Sequence, residues 1–372
     1  MKINIFFFVS NFIYGGAGNA ILNFLKNLNK KKYNIHVIFL DKSDYQNSLP
    51  SHVKSFRVDT KVKFFKTFFS FFKIRKILLG YKSSKNKNVF ISNIHYSNVL
   101  SIFFLRKIKN LKIILFERTS LKELDLFENV ISFLKNKIVK FLIKFTYSKA
   151  DKLLTNSRIL SNELKAYNLR PNIIYSGSIN GSIKQKKRYK KKSFFKIIAV
   201  GRLSSQKDYY TLLKAVKLIK KNIFQIMIYG EGELKKNLLS YIKENNLQKY
   251  VHLLGHEKRK DKIYKKADLL VHTALFEGLP NSIVEALNYG VPVIASDSYG
   301  GTREVLGNGK FGQLFQTKNF NDLAKKINNF MSEPTKLEKK VKKSKNFIQR
   351  FTYQNTCKSL EKVLLGLKYY DV

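Results

Sequence analysis

Short apolar runs alternate with amphipathic stretches along roughly the first 175 residues of the chain. Five of these runs have the length and composition of buried strands: INIFFFVS, IHVIFLD, NVFISN, LKIILFE and ADKLLTNS. The first run is followed by the glycine loop YGGAGNA and by ILNFLKNLNK, whose apolar residues recur at helical spacing. Strands that alternate with helices in this way predict a parallel, doubly wound sheet.

The pattern is interrupted at residues 178–193, where SINGSIKQKKRYKKKS is polar, rich in lysine and without periodicity. This composition is typical of an interdomain linker. A second alternating series follows, with predicted strands FFKIIAVG, FQIMIYG, VHLLG, DLLVHTAL and VPVIAS. Its predicted helices are DYYTLLKAVKLIKK, GELKKNLLSYIKENN, RKDKIYKKA and SIVEALNYG, followed by two helices in the C-terminal tail.

The sequence therefore predicts an α/β protein with two Rossmann-like, doubly wound domains. We place the N-terminal domain at residues 1–178, the linker at 179–193 and the C-terminal domain at 194–345. The last segment, 346–372, is predicted to contain a helix that packs back towards the N-terminal domain. Because open parallel sheets bind ligands at the carboxyl ends of their strands, we expect both domains to face a central cleft.

The composition is strongly basic, since 71 lysine and arginine residues outnumber 25 acidic residues and give a formal net charge of +46. Such a surface attracts nucleic acid, anionic membranes or acidic ligands, although AT-rich coding DNA also produces this amino-acid usage. The single cysteine, Cys357, excludes an internal disulfide. The apolar core of the N-terminus, residues 5–9, is too short for a signal peptide, and no run of about 18 apolar residues predicts a spanning helix.

Two glutamates, Glu277 and Glu285, flank a Gly-Leu-Pro turn in the stretch LFEGLPNSIVEALNYGVPVIAS. Ser282 and Glu285 have the S-x-x-E spacing of a helix-capping box, and Gly290 is placed to end the same helix. Glu277 has no part in this local chemistry and lies on a loop at the carboxyl end of a predicted strand. A helix N-terminus beside carboxylates also favours a ligand with phosphate and hydroxyl groups.

A second loop of the C-terminal domain carries two cations. Arg202 and Lys207 follow the first strand of that domain, and together they can neutralise a diphosphate; an ordinary solvated basic loop is the alternative. Gly230 and Gly232 follow the next strand, where they allow a ligand to approach the backbone closely. Simple turn chemistry is the alternative explanation for these glycines.

Together these motifs resemble a known family. GGAGNA, VGRLSSQKD, YGEGELKKNL, LLGH and FEGLPNSIVEALNYGVPVIASDSYGGTREVL are similar to segments of the retaining glycosyltransferases with the GT-B fold, family GT4. FEGLPNSIVE matches the E-x7-E motif of that family. The resemblance spans most of the chain and is stronger in the C-terminal domain. It implies a hexosyl- or N-acetylhexosaminyltransferase that uses a nucleotide-sugar donor, with a UDP-sugar expected first.

The resemblance also implies roles for individual residues. Glu285 would accept hydrogen bonds from the ribose, and Glu277 would contact the donor sugar at the reacting face. Arg202 and Lys207 would hold the diphosphate. The other implied donor-binding residues, which touch the base, the sugar or the phosphates, are Gly16, Gly230, Leu254, Gly255, Gly278, Leu279, Pro280, Asn281 and Ser282.

The acceptor side departs from the family pattern. Many relatives carry a histidine on the loop after the strand LKIILFE, but here that loop runs FERTSLKE. Arg118 and Thr119, which follow Glu117 on that loop, and the nearby His95 are therefore the acceptor-side candidates. The segment IIYSGSIN also lacks the Asn-Pro common in relatives. These two differences leave the acceptor chemistry open.

The family transfers its sugar with retention, and the leaving phosphate is thought to help deprotonate the acceptor. No D-x-D motif occurs in this sequence, so the resemblance implies transfer without a metal or cofactor, in which fixed cations supply the positive charge. A glycan or polyprenyl-linked acceptor is expected, in the assembly of lipopolysaccharide, O-antigen or capsule.

Two segments interleave aromatic residues with lysines: KVKFFKTFFSFFKIRKILL at 61–79 and, more weakly, NKIVKFLIKFTYSK at 136–149. On a helix this pattern gives an apolar face flanked by cations, as in anchors at anionic membranes, although helices buried against a sheet use the same apolar residues. We therefore expect a cytoplasmic protein that is peripheral on the inner face of the plasma membrane and has no specific nucleic-acid target.

Two other classes of protein are alternatives. Gly16 and Gly18 follow the first strand and Asp41 ends the second, as in nicotinamide-dependent oxidoreductases, but Ile21 stands at the third glycine position. The net charge alone points to a nucleic-acid-binding protein, but no binding motif occurs and the lysines are spread along the chain.

Overall fold

The computed structural model describes residues 2–10, 12, 16–40, 43, 45–58, 66–81, 87–125, 130–181, 194–219 and 224–368. The chain forms two compact units. The first comprises Met1–Gly177 and Tyr353–Val372, and the second comprises Ser178–Thr352. The chain thus leaves the first unit one residue before the predicted boundary and returns to it at Tyr353. Residues 182–193 of the predicted linker lie outside the described residues.

The first unit contains a sheet of seven parallel strands with helices on both faces. Its strands are β1 (Ile3–Val9), β2 (Tyr33–Leu40), β3 (Val53–Val58), β4 (Asn88–Asn93), β5 (Leu111–Glu117), β6 (Lys152–Thr155) and β7 (Asn172–Ile173). Its first five helices are α1 (Gly16–Asn27), α2 (Lys66–Leu79), α3 (His95–Leu105), α4 (Val130–Thr146) and α5 (Arg158–Lys165). Short 3-10 turns occur at Gln46–Ser48, Leu121–Asp125 and Tyr147–Lys149.

The strand order of this sheet is β3-β2-β1-β4-β5-β6-β7, so the direction of winding reverses between β1 and β4. One face carries a core to which α1 contributes Phe24, packed on Phe7 of β1. The opposite face carries a second core, to which α2, α3 and α4 all contribute buried residues. A parallel sheet buried on both faces needs strands that are mostly apolar, and β1 meets this requirement at every position except the buried Asn4.

The second unit contains a sheet of six parallel strands and a separate two-stranded pair. Its strands are β8 (Phe195–Val200), β9 (Phe224–Tyr229), β10 (Val251–Gly255), β11 (Leu269–His272), β12 (Phe276–Glu277), β13 (Val293–Ser296), β14 (Tyr299–Gly300) and β15 (Gln313–Phe315). Its helices are α6 (Tyr209–Val216), α7 (Lys235–Glu244), α8 (Lys260–Tyr264), α9 (Asn281–Asn288), α10 (Thr302–Val305), α11 (Phe320–Ser332) and α12 (Pro334–Lys342). Short 3-10 turns occur at Ser205–Lys207 and Phe347–Phe351.

The strand order of the larger sheet is β10-β9-β8-β11-β13-β15, and winding reverses between β8 and β11. The small pair joins β12 to β14 beyond the end of β11. The last helix, α13 (Tyr353–Leu365), belongs to the first unit, where it packs against α1 and buries Cys357, Leu360 and Leu364. None of the helices in the described parts of the chain has the length and apolarity needed to cross a bilayer.

The predicted α/β class and the parallel sheet in each half are confirmed. The prediction missed β3, because Lys54, Ser55 and Arg57 interrupt its apolar positions. This strand lies at the edge of the sheet, where half-exposed positions tolerate polar residues. Asp41, which the oxidoreductase alternative used, lies outside the described residues.

One buried histidine makes the stability of the first unit sensitive to acid. His36 on β2 stacks on Phe6 at a centroid distance of 4.5 Å, and neither ring nitrogen has a hydrogen-bond partner among the described residues. Burial, together with the charge of Lys54, lowers the pKa of His36 from 6.5 to about 4. The unfolded chain therefore binds this proton at a higher pH than the folded chain, and acid favours unfolding as the pH falls from 6.5 towards 4.

We predict that His36→Phe removes this sensitivity. Between pH 7.5 and 4.5 the free energy of unfolding of the wild type should fall by about 2 kcal/mol more than that of the variant. Urea unfolding at the two pH values measures the difference, with the exposed His52→Gln as a control that follows the wild type. Equal losses in the wild type and His36→Phe would contradict the assignment.

Candidate active site

The reversal of winding in the second unit brings two loops together at the carboxyl ends of β8 and β11. The turn Ser205–Lys207 follows β8, and the segment leading into β12 follows β11. Three hydrogen bonds tie them: Thr273 Oγ1 donates to the Lys207 carbonyl at 2.7 Å, Leu275 N donates to Gln206 O at 2.8 Å, and Gln206 Nε2 donates to Phe276 O at 2.9 Å. The backbone on both sides of the site is therefore fixed by adjacent strands.

Lys207 and Glu277 meet at this junction in an ion pair. The Glu277 side chain is nearly buried, and His272 at the end of β11 places Nε2 3.4 Å from its Oε1. Burial alone would raise the pKa of Glu277, but the charge of Lys207 and the contact with His272 outweigh it and lower the pKa to about 2. Burial lowers the pKa of His272, so this ring is neutral. Glu277 is thus a permanently ionised hydrogen-bond acceptor rather than a proton carrier at neutral pH.

Sequence reasoning missed His272 and two glycines that support Glu277. A Cβ atom on Gly300 would stand 1.6 Å from the Glu277 carbonyl oxygen, and one on Gly301 would stand 2.4 Å from the Gly278 carbonyl oxygen. Gly300 also has a φ of +115°, and Gly301 N donates to Glu277 O at 3.1 Å. The consecutive glycines in SYGGT were the available signal, because only glycine permits this backbone contact.

The glycines after β9 bring two loops of the fold into close contact. A Cβ atom on Gly230 would lie 1.8 Å from the Gly201 carbonyl oxygen, and one on Gly232 would lie 2.4 Å from the Leu203 carbonyl oxygen. The loop after β8 fills the space on the Cβ side of both glycines, so contact within the fold by itself requires glycine here; the role of Gly230 at a ligand stays a prediction. Gly230 N donates to Gly255 O at 2.8 Å, which connects the end of β10 to the same group of loops.

The remaining residues of these loops differ in exposure. Arg202 is exposed on the loop after β8. Leu254 is half exposed at the end of β10, beside Gly255, whose φ is +71°. Gly278, Leu279 and Pro280, which connect β12 to α9, are buried. The backbone of this turn is therefore held by packing before any ligand binds.

The predicted capping box is wrong. Helix α9 begins at Asn281 with Pro280 as its N-cap, and no side chain accepts a hydrogen bond at the cap. Ser282 is thus the second helical residue, and Glu285 is too far along the helix to reach the cap. Gly290 does end the helix as predicted, with a φ of +71°.

Glu285 is instead held from the side by α8. Tyr264 Oη donates a 2.8 Å hydrogen bond to Glu285 Oε2, and Lys260 Nζ lies 2.6 Å from Oε1. Asn281, at the start of α9, accepts a 2.7 Å hydrogen bond from Ser178 Oγ. Glu277 and Glu285 are therefore each paired with a different lysine.

In the first unit the predicted residues lie near the reversal between β1 and β4. Gly16 is exposed and begins α1; Tyr14 and Gly15, which begin the glycine loop, lie outside the described residues. His95 begins α3 immediately after β4, preceded by Ile94 with a φ of 72°. A β-branched residue rarely adopts this conformation, so the entry to α3 is strained.

Glu117 at the end of β5 is the centre of a buried polar cluster that sequence reasoning did not assign. Its carboxylate accepts a 2.6 Å hydrogen bond from Tyr147 Oη and a 3.2 Å hydrogen bond from Arg118 N. His95 Nδ1 lies 3.6 Å from Glu117 Oε1. Burial would lower the pKa of His95, but Glu117 outweighs burial and raises it. A charged residue at the end of the apolar run LKIILFE was the signal for this cluster.

Arg118 is buried next to this cluster but is bound to other partners. Nε donates to Asn93 Oδ1 at 2.8 Å, Nη1 donates to Ser176 Oγ at 3.2 Å, and the guanidinium lies 3.8 Å from the Phe116 ring centroid. Burial lowers its pKa to about 9, so it remains a cation at neutral pH. Arg118 Nη2 and Thr119 Oγ1 have no hydrogen-bond partner among the described residues. Of the three acceptor-side candidates, His95 and the Arg118 backbone thus contact Glu117, whereas Thr119 Oγ1 makes no hydrogen bond to it among the described residues.

Comparison with known proteins identifies the family. A family model described as Glycosyl transferases group 1 matches residues 180–347, which include both loops of the Lys207–Glu277 site. The chain is 30% identical over 375 residues to the N-acetylgalactosamine-N,N'-diacetylbacillosaminyl-diphospho-undecaprenol 4-alpha-N-acetylgalactosaminyltransferase of Campylobacter jejuni, covering 95% of this chain and 98% of the relative. The chain belongs to the group 1 glycosyltransferases.

Two further comparisons agree with this assignment. A UDP-Gal:alpha-D-GlcNAc-diphosphoundecaprenol alpha-1,3-galactosyltransferase of Escherichia coli is 32% identical over 188 residues, which are 45% of this chain and 49% of that relative. The structure of Anabaena Alr3699/HepE in complex with UDP-glucose superposes with a TM-score of 0.80 at 18% identity, covering 98% of this chain and all of the other. This group 1 glycosyltransferase therefore has the predicted GT-B fold, and the oxidoreductase and nucleic-acid-binding alternatives find no support.

We predict that the close contact between Gly300 and Glu277 leaves no space for a side chain at position 300. Gly300→Ala should lower the free energy of unfolding by about 3 kcal/mol, because the backbone of β12 has to move. Gly309→Ala is the matched control, since Gly309 also has a positive φ, of +89°, but an added Cβ atom there would meet no atom of the described residues within 4 Å. It should cost only about 1 kcal/mol. If urea unfolding gives equal losses of free energy for Gly300→Ala and Gly309→Ala, the cost comes from the positive φ and not from the contact with Glu277.

We also predict that Glu117→Gln lowers the pKa of His95. The amide keeps an oxygen for Tyr147 but removes the negative charge that opposes the effect of burial. Titration of the histidine ring protons by NMR in the wild type and the variant measures the change. An unchanged His95 titration in a folded variant would exclude Glu117 as the controlling charge.

Proposed function

We propose that this glycosyltransferase moves a hexose or N-acetylhexosamine from a UDP-sugar, with retention, to a lipid-linked glycan in bacterial cell-surface polysaccharide assembly. The observation that carries the proposal is the buried Lys207–Glu277 pair at the reversal of winding in the second unit. Open parallel sheets bind ligands at such a reversal. The two groups present a cation and an acceptor oxygen side by side, as a sugar diphosphate requires.

In this proposal the two cations bind the diphosphate. Arg202 is exposed and available to phosphate, while Lys207 can be shared between Glu277 and a phosphate oxygen. The N-terminus of α9, with no side chain at its cap, offers backbone N–H groups to the same phosphates. The developing negative charge on the leaving diphosphate is thereby stabilised by fixed groups.

Glu277 is proposed to orient the donor sugar. A carboxylate with a pKa of about 2 accepts hydrogen bonds from sugar hydroxyls strongly but removes protons poorly at neutral pH. Glu285, which Tyr264 and Lys260 hold in place, is proposed to accept from the ribose hydroxyls. The base is proposed to lie against Leu254 and Gly255, and the proton of the acceptor is proposed to leave with the departing phosphate.

The names of the relatives support the choice of donor and acceptor. The Escherichia coli relative is named for a UDP-sugar, and both relatives are named for diphosphoundecaprenol-linked acceptors. His95, Arg118 and Thr119 are proposed to line the acceptor side of the reaction, with the protein peripheral on the cytoplasmic face of the membrane. Gly16 is proposed to approach the diphosphate from the first unit.

We propose that transfer needs no metal, because Lys207 and Arg202 supply the positive charge. Among the described residues, no three His, Cys, Asp or Glu side chains are grouped so that they could hold a metal ion. We therefore expect EDTA to leave the rate of donor turnover unchanged. Loss of turnover with EDTA and recovery with Mg²⁺ or Mn²⁺ would contradict the proposal that transfer needs no metal.

The test combines binding with turnover. Thermal unfolding is followed with UDP, GDP and NAD at equal concentrations; a nucleotide at 100 times its Kd should stabilise the protein by about 2.7 kcal/mol. We expect UDP to protect most, Glu285→Gln to weaken that protection, and Glu277→Gln to keep it. Slow hydrolysis of UDP-sugars, measured as UDP release, should fall about 100-fold in Glu277→Gln.

The control is Glu333→Gln, which removes a carboxylate from an exposed ion pair with Lys336 and should behave as the wild type. Protection by GDP alone would change the donor class and leave the transferase in place. Protection by NAD alone, or by none of the three nucleotides, would contradict the proposal.

A further inference from the structure

Helix α4 carries a continuous apolar surface that no part of the described chain covers. Its exposed apolar side chains are between 47% and 73% accessible to solvent: Val130, Ile131, Leu134, Ile138, Phe141 and Phe145. At 3.6 residues per turn, all six lie within an arc of about 100° on the helix surface. Scattered exposed apolar residues are ordinary, but a full-length stripe on a 17-residue helix is an interaction surface.

The stripe is not the face by which α4 joins the fold. The buried residues of the helix, Asn136, Val139, Ile143 and Thr146, lie on the opposite side and pack towards the sheet. The helix therefore has two apolar faces, of which one is buried inside the unit and the other is exposed. Polar residues between them are almost all lysines, at positions 135, 137, 140 and 144.

The neighbouring helices extend this surface. Helix α3, packed between α2 and α4, exposes Phe103, and α2 exposes Phe68, Phe69 and Phe72. Phe72 contacts Phe104 of α3 at a centroid distance of 4.9 Å, so the aromatic residues of α2 and α3 adjoin. The sequences of α2, α3 and α4 contain no aspartate or glutamate.

The sequence pattern predicted residues 61–79 as the stronger candidate for membrane contact. In the structure, α4 is instead the helix that carries the exposed apolar stripe. In α2 the residues Phe71, Ile74 and Leu78 are buried in the core, and residues 61–65 lie outside the described residues. The weaker candidate at 136–149 contains half of the exposed stripe. Burial against the sheet thus accounts for part of the pattern in α2 but not for the stripe on α4.

We propose that the exposed face of α4, with the phenylalanines of α2 and α3 beside it, docks on an anionic lipid surface. Apolar side chains enter the interface between headgroups and acyl chains, while the flanking lysines meet the lipid phosphates. A second copy of the chain fits less well, because self-association would bring the lysine rows Lys137, Lys140 and Lys144 together without acidic partners on these helices. The acidic partner that Lys140 does have, Asp125 at 2.8 Å, belongs to the turn before α4.

The purpose of docking, access to a lipid-linked acceptor, rests on the proposed function, but docking itself does not. It can be measured without a nucleotide or an acceptor. A protein that binds vesicles and not UDP would refute the proposed donor and leave the docking surface in place. One that binds UDP and not vesicles would refute the docking surface and the proposed peripheral location, and leave the proposed transfer reaction in place.

The test uses sedimentation of the full chain with vesicles of phosphatidylcholine containing about 30 mol% phosphatidylglycerol, and with phosphatidylcholine alone. The variant Leu134→Gln/Ile138→Gln/Phe141→Gln replaces three apolar residues in the middle of the stripe and changes no buried residue. The matched control Leu218→Gln/Leu239→Gln/Leu365→Gln makes the same kind of change at exposed leucines that do not belong to α2, α3 or α4. Thermal unfolding checks that both variants are folded.

We expect the wild type and the control to bind the anionic vesicles, and the α4 variant to bind about tenfold or more weakly. Binding to phosphatidylcholine alone should be weaker for all three proteins. Undiminished binding of a folded α4 variant would overturn the proposal, because the general positive charge would then suffice. A wild type that forms dimers, does not bind vesicles and becomes monomeric in the α4 variant would also overturn it, in favour of a second copy.

Discussion

A carboxylate removed from water must be paired, and this requirement organises the second unit around Glu277. Its partner Lys207 lies 70 residues earlier in the chain, yet the two meet because β8 and β11 are neighbours in the sheet. An unpaired buried charge costs several kcal/mol, so the Glu277 carboxylate depends on Lys207 in this position. The same pairing places a cation next to an acceptor oxygen, which is the arrangement that a sugar diphosphate can use.

The backbone around Glu277 is as constrained as its side chain. The segment of Gly300 and Gly301 lies against β12 so closely that a methyl group has no space, and the loops after β8 and β9 meet in the same way at Gly230. Glycine therefore serves here to bring loops of different strands into contact. The result is a preorganised site, in which the groups that face a ligand are held by contacts that the ligand does not have to make.

The first unit meets the same requirement with a different arrangement. Glu117 is completely buried and is satisfied by Tyr147, the Arg118 backbone and His95 rather than by one lysine. The Arg118 guanidinium, one residue away, finds its partners in Asn93 and Ser176. The large excess of cations elsewhere remains at the surface, where α4 combines it with an apolar stripe. Burial thus leaves a few acids in structural roles, while Lys135, Lys137 and Lys144 of α4 are exposed to solvent.

The local pattern of the sequence is enough to predict the two parallel α/β units, because strands buried on both faces must be mostly apolar. It also determined the candidates Glu277, Lys207 and Arg202, which lie directly after such strands. The tertiary structure was needed to show which groups meet: the Lys207–Glu277 pair, the contacts of Glu117, and the filling of the space at Gly230 by another loop. It also decided that Glu285 binds α8 instead of capping α9, since the helix begins at Asn281. These contacts depend on strand adjacency and on where each helix starts, and neither is encoded in the spacing of residues along the chain.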